Sequence, residues 1–348
     1  MKIVSSATQT RHDPQQIMLR GKMVKPVEQP ERLRILSKSL VEDGHEAVEP
    51  AAQALDPVLK VHDPLYVDFL RRAHAEWQRL PDASVEVLPN THHYRRASEV
   101  GQPPGRVPHS ITGQAGWYVS DLNCAIGEGT WEAVEASAHS AIHAAQLVIG
   151  GERSAFAACR PPGHHAYRDQ AAGFCYINNA AVVADMLTSR FGRVAIIDFD
   201  THHGDGTQSI FYARDDVFVG SVHTDPADYY PFFIGYADER GDGRGEGYNQ
   251  NIPLQPGAGD AEFIAACSAL GEAARKAGCQ ALVLSAGWDA HAQDPLSKLR
   301  VSDDAYQRIG EIFGAVRLPT VIVQEGGYSL DVIAKAPKRF VSGFCARH

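Results

Sequence analysis

The sequence predicts an α/β protein whose parallel sheet is covered by helices on both faces. Two observations carry this prediction: short β-branched or apolar runs that end in polar or glycine-rich sequence, and longer helical patterns between them. In chain order, "GTWEAVEASAHSAIHAAQLVIGG" (129–151) reads as a helix with Thr130 as N-cap and a glycine pair at its close. "SAFAACR" (154–160) reads as a strand, 178–192 as a helix, and "RVAIIDFD" (193–200) and "VFVGSVH" (217–223) as strands. The helix 259–278, the strand "ALVLSAG" (281–287), the helix 302–316 and the strand "PTVIVQEGG" (319–327) complete the alternation. Residues 80–113 interrupt it. They are proline-rich, basic and polar, and too long for an ordinary connection, so they read as an insertion: a mobile loop or an arm that packs on a partner subunit.

The 348 residues contain no low-complexity linker and no internal repeat, which suggests one domain over 1–348. Apolar residues at 44% and charged residues at 22% suit a soluble protein with a substantial core. A formal net charge of −9 argues against nucleic acid as a partner and leaves room for a cationic substrate. "MKIVSSATQT" carries no apolar signal core, and no apolar run approaches the roughly 20 residues of a membrane span, so no membrane role is expected. The six cysteines form no CxxC pair and read as reduced thiols of a cytoplasmic protein. Cys159 and Cys175 flank a loop with two adjacent histidines, where thiol chemistry is the minor alternative to burial.

In parallel α/β sheets, ligands bind beyond the carboxyl ends of the strands, and the polar residues gather there. "IIDFDTHHGDGT" places Asp198, Asp200, His202, His203 and Asp205 at one strand end; "SAGWDAH" adds Asp289, "QEGGY" adds Tyr328, and "RPPGHH" adds His164 and His165. Carboxylates and an imidazole converging without a cation are costly to bury, and a divalent metal removes that cost. Asp200, His202 and Asp289 form an oxygen–nitrogen–oxygen set with room for a fourth ligand, the pattern of a catalytic zinc; without a Cys ligand, Fe²⁺ and Mn²⁺ also suit it. His164 and His165, each steadied by a carboxylate from Asp198 or Asp205, would supply the base and acid for hydrolysis. Tyr328, after a Gly326–Gly327 hinge, would donate a hydrogen bond to a developing oxyanion.

"RPPGHHA", "GFCYINNAAVVA", "IDFDTHHGDGTQ", "SAGWDAHAQDPL" and "VQEGGY" together resemble the zinc-dependent histone deacetylase superfamily, in order and spacing, over most of the chain. "DPADYYPFFIGYADERGDGRGEGYN" (225–249) and the 80–113 insertion look more like its bacterial acetylpolyamine amidohydrolase branch. The resemblance implies the arginase–deacetylase fold, a three-layer α/β/α sandwich, with Zn²⁺ on Asp200, His202 and Asp289. It implies that His165 is the general base, His164 its electrostatic partner paired with Asp198, and Tyr328 the group that polarises the carbonyl. The reaction would be water attack on an N-acetyl amide, releasing acetate and an amine. A structural K⁺ would bind at Asp198, Asp200, His202, Ser221 and Val222, and a second at carbonyls of Phe211, Arg214, Val217 and Tyr248. Gly173 and Phe174 in the "AGF" turn, with Tyr230 opposite, would line a narrow tunnel. Acidic residues that receive distal ammonium groups in the branch are matched here by Thr112 and Asn123, with Asp121 and Glu128 as substitutes. A homodimer would follow if the insertion crosses a two-fold interface and narrows the tunnel mouth. The expected substrate is a small N-acetylated amine such as an acetylpolyamine; the alternative is protein acetyl-lysine. A non-catalytic metal-binding module has no need of the acid–base set.

Overall fold

The computed structural model describes residues 1–93 and 105–348. Ten strands form among the described residues: β1 (Lys2–Val4), β2 (Ile17–Leu19), β3 (Lys22–Val24), β4 (Glu46–Val48), β5 (Ser154–Ala157), β6 (Val194–Asp198), β7 (Val217–Thr224), β8 (Asn249–Leu254), β9 (Ala281–Ala286) and β10 (Thr320–Gln324). Eight build one sheet in the order β4-β1-β5-β10-β9-β6-β7-β8, and β2–β3 form a separate antiparallel hairpin. Every pairing in the large sheet is parallel.

The central strands read as unbroken apolar runs because both sheet faces are covered, and alternate side chains enter opposite cores. Val194, Ile196, Val283 and Val321 pack on the side of the helices Thr130–Ile149 and Asn179–Phe191. Ile197, Leu282, Leu284 and Ile322 pack against Phe263, Ile309 and Phe340 of the helices Asp260–Lys276, Asp303–Ala315 and Ala336–Arg347. Each such side chain is fully buried, a contribution of about 1.5–3 kcal/mol apiece.

All five strands read from sequence are present; four are shorter than read, and the 217–223 strand runs one residue further, to Thr224. The other three strands of the large sheet, and the β2–β3 hairpin, were not read from sequence. β1 and β4 have only three residues, and β8 is a polar edge strand, "NQNIPL". Thr130 is not the N-cap of its helix: Gly129 occupies that position, while the Thr130 hydroxyl accepts the Gly127 N–H and contacts His12 Nδ1. The ends of the 80–113 insertion are tied down. Val87 bridges Ile126, the His93 ring stacks on Trp117 at 4.5 Å, and a helix starts at Ile111 under a Ser110 cap. The middle of the expected arm to a partner, residues 94–104, lies outside the described residues.

Candidate active site

Because the sheet is parallel, the loops after β5, β6, β7, β9 and β10 leave the same edge, where side chains far apart in sequence meet. Asp200, His202 and Asp289 bring one ligand atom each within 4.8 Å of one another, all buried. His202 Nδ1 lies 3.1 Å from Asp200 Oδ1 and 3.2 Å from Asp289 Oδ2. The remaining carboxylate oxygens are fixed by backbone: Gly326 N–H donates to Asp200 Oδ2 at 2.8 Å and Thr201 N–H to Asp289 Oδ1 at 3.0 Å. Asp289 Oδ2 is buried and has no hydrogen-bond donor of its own. Burial and the Asp200 charge push Asp289 up to about 7. Burial disfavours charge on His202, yet the two carboxylates push it up to about 10. The cluster therefore calls for positive charge at its centre, and its hard-oxygen and imidazole donors fit a divalent cation.

Asp198, two residues earlier, is engaged elsewhere. Its Oδ2 lies 2.9 Å from His164 Nδ1, and its Oδ1 accepts the Asp200 N–H at 3.0 Å. His165 Nδ1 lies 2.6 Å from Asp205 Oδ1, whose other oxygen accepts the Tyr167 hydroxyl at 2.8 Å. Nδ1 is thereby committed, and Nε2 is the nitrogen left for the cavity. The neighbouring rings, 4.0 Å apart, carry opposite tendencies. Burial opposes a proton on His164, but Asp198 and Asp200 outweigh it and push the ring up to about 10. Burial, then the charges of His164 and His202, hold His165 well below the usual range. Burial also raises Asp205 to about 7 and Tyr328 well above the usual phenol range.

Sequence reasoning missed the residues that fix these groups. Glu325 Oε2 accepts the N–H groups of Gly163 and His164 at 2.7 and 3.1 Å, and its Oε1 accepts from Ser285 Oγ, riveting the histidine loop to β9 and β10. Asp294 Oδ2 accepts the N–H groups of Tyr328 and Ser329 at 2.6 and 2.8 Å. The guanidinium of Arg32 sits 4.7 Å from the Tyr328 ring centroid and donates to the carbonyls of Gly327 and Glu325. Glu28, fully buried, bonds both Arg32 and Arg160. The expected Gly326–Gly327 hinge is instead a pinned turn: a Cβ at Gly326 would stand 2.3 Å from Asp289 Oδ2 and 2.4 Å from Asp200 Oδ2. Only glycine allows that approach. Cys159 and Cys175 are buried with thiols raised by burial, and all six cysteines are free.

A cavity of about 530 Å³ opens onto these groups, bounded by His165, His202 and Tyr328 at its base. Gly173, Phe174, Tyr230 and Asn123 line it, and so does Tyr229, which stacks on His202 at 5.1 Å. Tyr230 meets the His165 ring edge-on at 5.0 Å, and Phe174 meets Tyr328 at 5.7 Å. A Cβ at Gly173 would stand 2.5 Å from the His165 ring. Thr112, on the helix Ile111–Tyr118, does not line the cavity. Asp121 does not face it either; its carboxylate accepts from Asn123 N–H, Gly173 N–H and the Tyr230 hydroxyl, each at 2.9 Å. Behind the site, Asp198 pairs in register with Ser221, and Val222 follows on β7. The Phe211 carbonyl accepts the Arg214 N–H, and the Tyr248 carbonyl accepts the Val219 N–H. No helix among the described residues is long and apolar enough to cross a membrane.

This parallel sheet carries an oxygen–nitrogen–oxygen cluster that could hold a divalent cation beside a carboxylate-backed histidine pair, the groups a hydrolase of amides uses. Residues 26–344 match the histone deacetylase domain, and the chain belongs to that family. It is an enzyme of deacetylation, acting on amide bonds. Among its relatives are the acetylpolyamine amidohydrolase of Burkholderia pseudomallei, 42% identical with 97% of each chain covered, and that of Mycoplana ramosa, 38% identical with 96% of each covered. The crystal structure of the B. pseudomallei acetylpolyamine aminohydrolase superposes with a TM-score of 0.93 at 41% identity, covering 99% of both chains. The HDA15 HD domain superposes with a TM-score of 0.80 at 25% identity, covering 99% of this chain and 89% of that one.

Proposed function

We propose that this protein is a zinc-dependent amidohydrolase of the cytoplasm, where its six thiols stay reduced, and that it removes acetyl groups from N-acetylated polyamines or related small amines. The observation that carries the reading is the joint presence, at one cavity base, of a buried three-ligand cluster, a carboxylate-backed histidine pair and a tyrosine hydroxyl. Zn²⁺ held by Asp200, His202 and Asp289 would polarise the amide carbonyl and make water acidic enough to attack at neutral pH. His165, uncharged through burial and fixed by Asp205, takes the proton of the attacking water at Nε2 and returns it to the leaving amine. His164, whose proton Asp198 holds, keeps positive charge beside that transfer. Tyr328 retains its proton and donates it as a hydrogen bond to the developing oxyanion. Phe174, Tyr229 and Tyr230 enclose a slender methylene chain and exclude bulk water.

K⁺ at Asp198, Asp200, His202, Ser221 and Val222 would brace the loop that carries the cluster, and the carbonyls of Phe211, Arg214, Val217 and Tyr248 suit a second K⁺. A homodimer formed through the insertion would narrow the entrance to slender substrates. The testing experiment is a hydrolysis panel with the zinc-loaded enzyme: acetylputrescine, acetylcadaverine, acetylspermidine and an acetyl-lysine peptide. The small acetylamines are expected to show the higher kcat/KM; faster turnover of the peptide would favour protein acetyl-lysine as the substrate.

A further inference from the structure

One carboxylate oxygen joins two walls of the cavity. Asp121 Oδ2 accepts the Gly173 N–H and the Tyr230 hydroxyl, each at 2.9 Å, while its Oδ1 accepts the Asn123 N–H of its own turn at 2.9 Å. Backbone brings the acid there. Val119 bridges Ala171 in parallel, and the Ser120 N–H donates to Ala171 O at 2.9 Å, so Asp121 follows directly beside the turn it grips. That turn is strained. Gly173 and Phe174, between the paired residues Ala172 and Cys175, have φ of 51° and 68°. A phenylalanine holds left-handed backbone only where its surroundings impose it. The turn sets Phe174 edge-on against Tyr328 at 5.7 Å. Tyr230, from the loop after β7, meets the His165 ring edge-on at 5.0 Å. A Cβ at Gly173 would stand 2.9 Å from the Tyr230 hydroxyl, so the two walls touch at this point and only glycine fits there. Burial, then the Asp121 charge, raises the Tyr230 phenol well above its usual range, which keeps the hydroxyl a donor.

Phe174 and Tyr230 touch the tyrosine and the histidine assigned to the oxyanion and the proton, so they enclose the first methylenes beside the scissile amide. We infer that Asp121 is a positioning residue that latches these two walls together and so sets the bore at which a branched carbon chain is rejected. Its carboxylate does not line the cavity, so it acts through Gly173 and Tyr230. The inference rests on the reading that the site hydrolyses slender acetylated amines, and it names the group that enforces slenderness. Without the latch, the Gly173 N–H loses its partner and the Tyr230 ring its tether, and the bore widens at the level of the first carbons.

The test uses the full-length, zinc-loaded chain and two substrates of equal charge and length: acetylcadaverine, and its analogue with one methyl branch on the second carbon from the acetylated nitrogen. Wild type is expected to prefer the unbranched amide by at least about tenfold in kcat/KM, the ordinary worth of one carbon in a fitted apolar site. Asp121→Ala and Tyr230→Phe are each expected to narrow that ratio to within about threefold, and the double variant to narrow it no further, because both remove the same contact. A variant that is merely less well folded turns over both substrates more slowly and leaves the ratio where it was. Tyr230→Phe removes one hydroxyl, so it decides the matter if Asp121→Ala does not fold. Calorimetric titration of both amides into the same proteins reads the bore without turnover. A wild type indifferent to the branch, a ratio unmoved in Tyr230→Phe, or single-variant effects that multiply in the double variant would overturn the inference. If neither amide is hydrolysed, the hydrolase reading falls, and the calorimetric ratio alone then decides the latch.

Discussion

His165 and Tyr328 reach their working protonation states by the same means, removal from water, but hold them through different neighbours. His165 stays neutral because burial and the charges of His164 and His202 disfavour a second proton. Replacing it with alanine should abolish turnover while zinc content, measured by atomic absorption, stays near one per chain; an active variant would reject its role as base. Tyr328 stays protonated because burial disfavours the phenolate, although Arg32 opposes this. Tyr328→Phe should lower kcat by about 10²–10³-fold, the cost of a lost oxyanion donor, with little change in KM. Both residues were legible because each stands in a conspicuous cluster at a strand end. Glu28 and Glu325 were not: Glu28 gains its meaning from Arg160 and Glu325 from the Gly163 N–H, partners more than a hundred residues away.

At the scale of elements, the site depends on turns that carry no side chain and on rings that stay uncharged. Gly326 brings backbone against two carboxylates, so Gly326→Ala should weaken zinc binding by at least about tenfold, read by competition with a chromogenic chelator. His62 caps the short helix Asp56–Val61 and ties it to the loop before the helix Asn179–Phe191: its Nε2 accepts the Asn178 N–H at 2.9 Å and its Nδ1 contacts Arg168 O at 3.2 Å. Burial pushes this ring down to about 4, against 6.5 when unfolded. The unfolded chain therefore takes up the proton first, and the contribution of His62, complete above pH ~6.5, is lost as pH falls toward ~4. The stability gap between wild type and His62→Gln should narrow by up to about 1.4 kcal/mol per pH unit over that window, measured by urea unfolding. Strand existence was readable where both faces are buried, as in β6, β9 and β10, because apolarity is then continuous. It was unreadable in β4 and β8, whose edge positions permit polar sequence.

For the whole molecule, the cluster couples folding to metal. Two carboxylates face each other with only His202 between, so a bound cation stabilises the native state alone, by about 2.7 kcal/mol when free zinc is a hundredfold above Kd. Thermal unfolding of chelated and zinc-loaded protein should differ accordingly, and a chelator-insensitive midpoint and activity would refute the site. Trimming residues 84–104 should produce monomers by light scattering and admit acetyl-lysine peptides; an unchanged dimer with unchanged selectivity would end the idea that the insertion builds the entrance. Glu28 carries a consequence on this same scale. It grips Arg160, which leads into the proline–glycine–histidine loop, and Arg32, which lies over the tyrosine ring, so the proton carrier and the oxyanion donor hang from one carboxylate. Drift at that position would disturb both halves of the machinery at once, and a descendant chain that lost this acid would have to rebuild the two together or abandon hydrolysis.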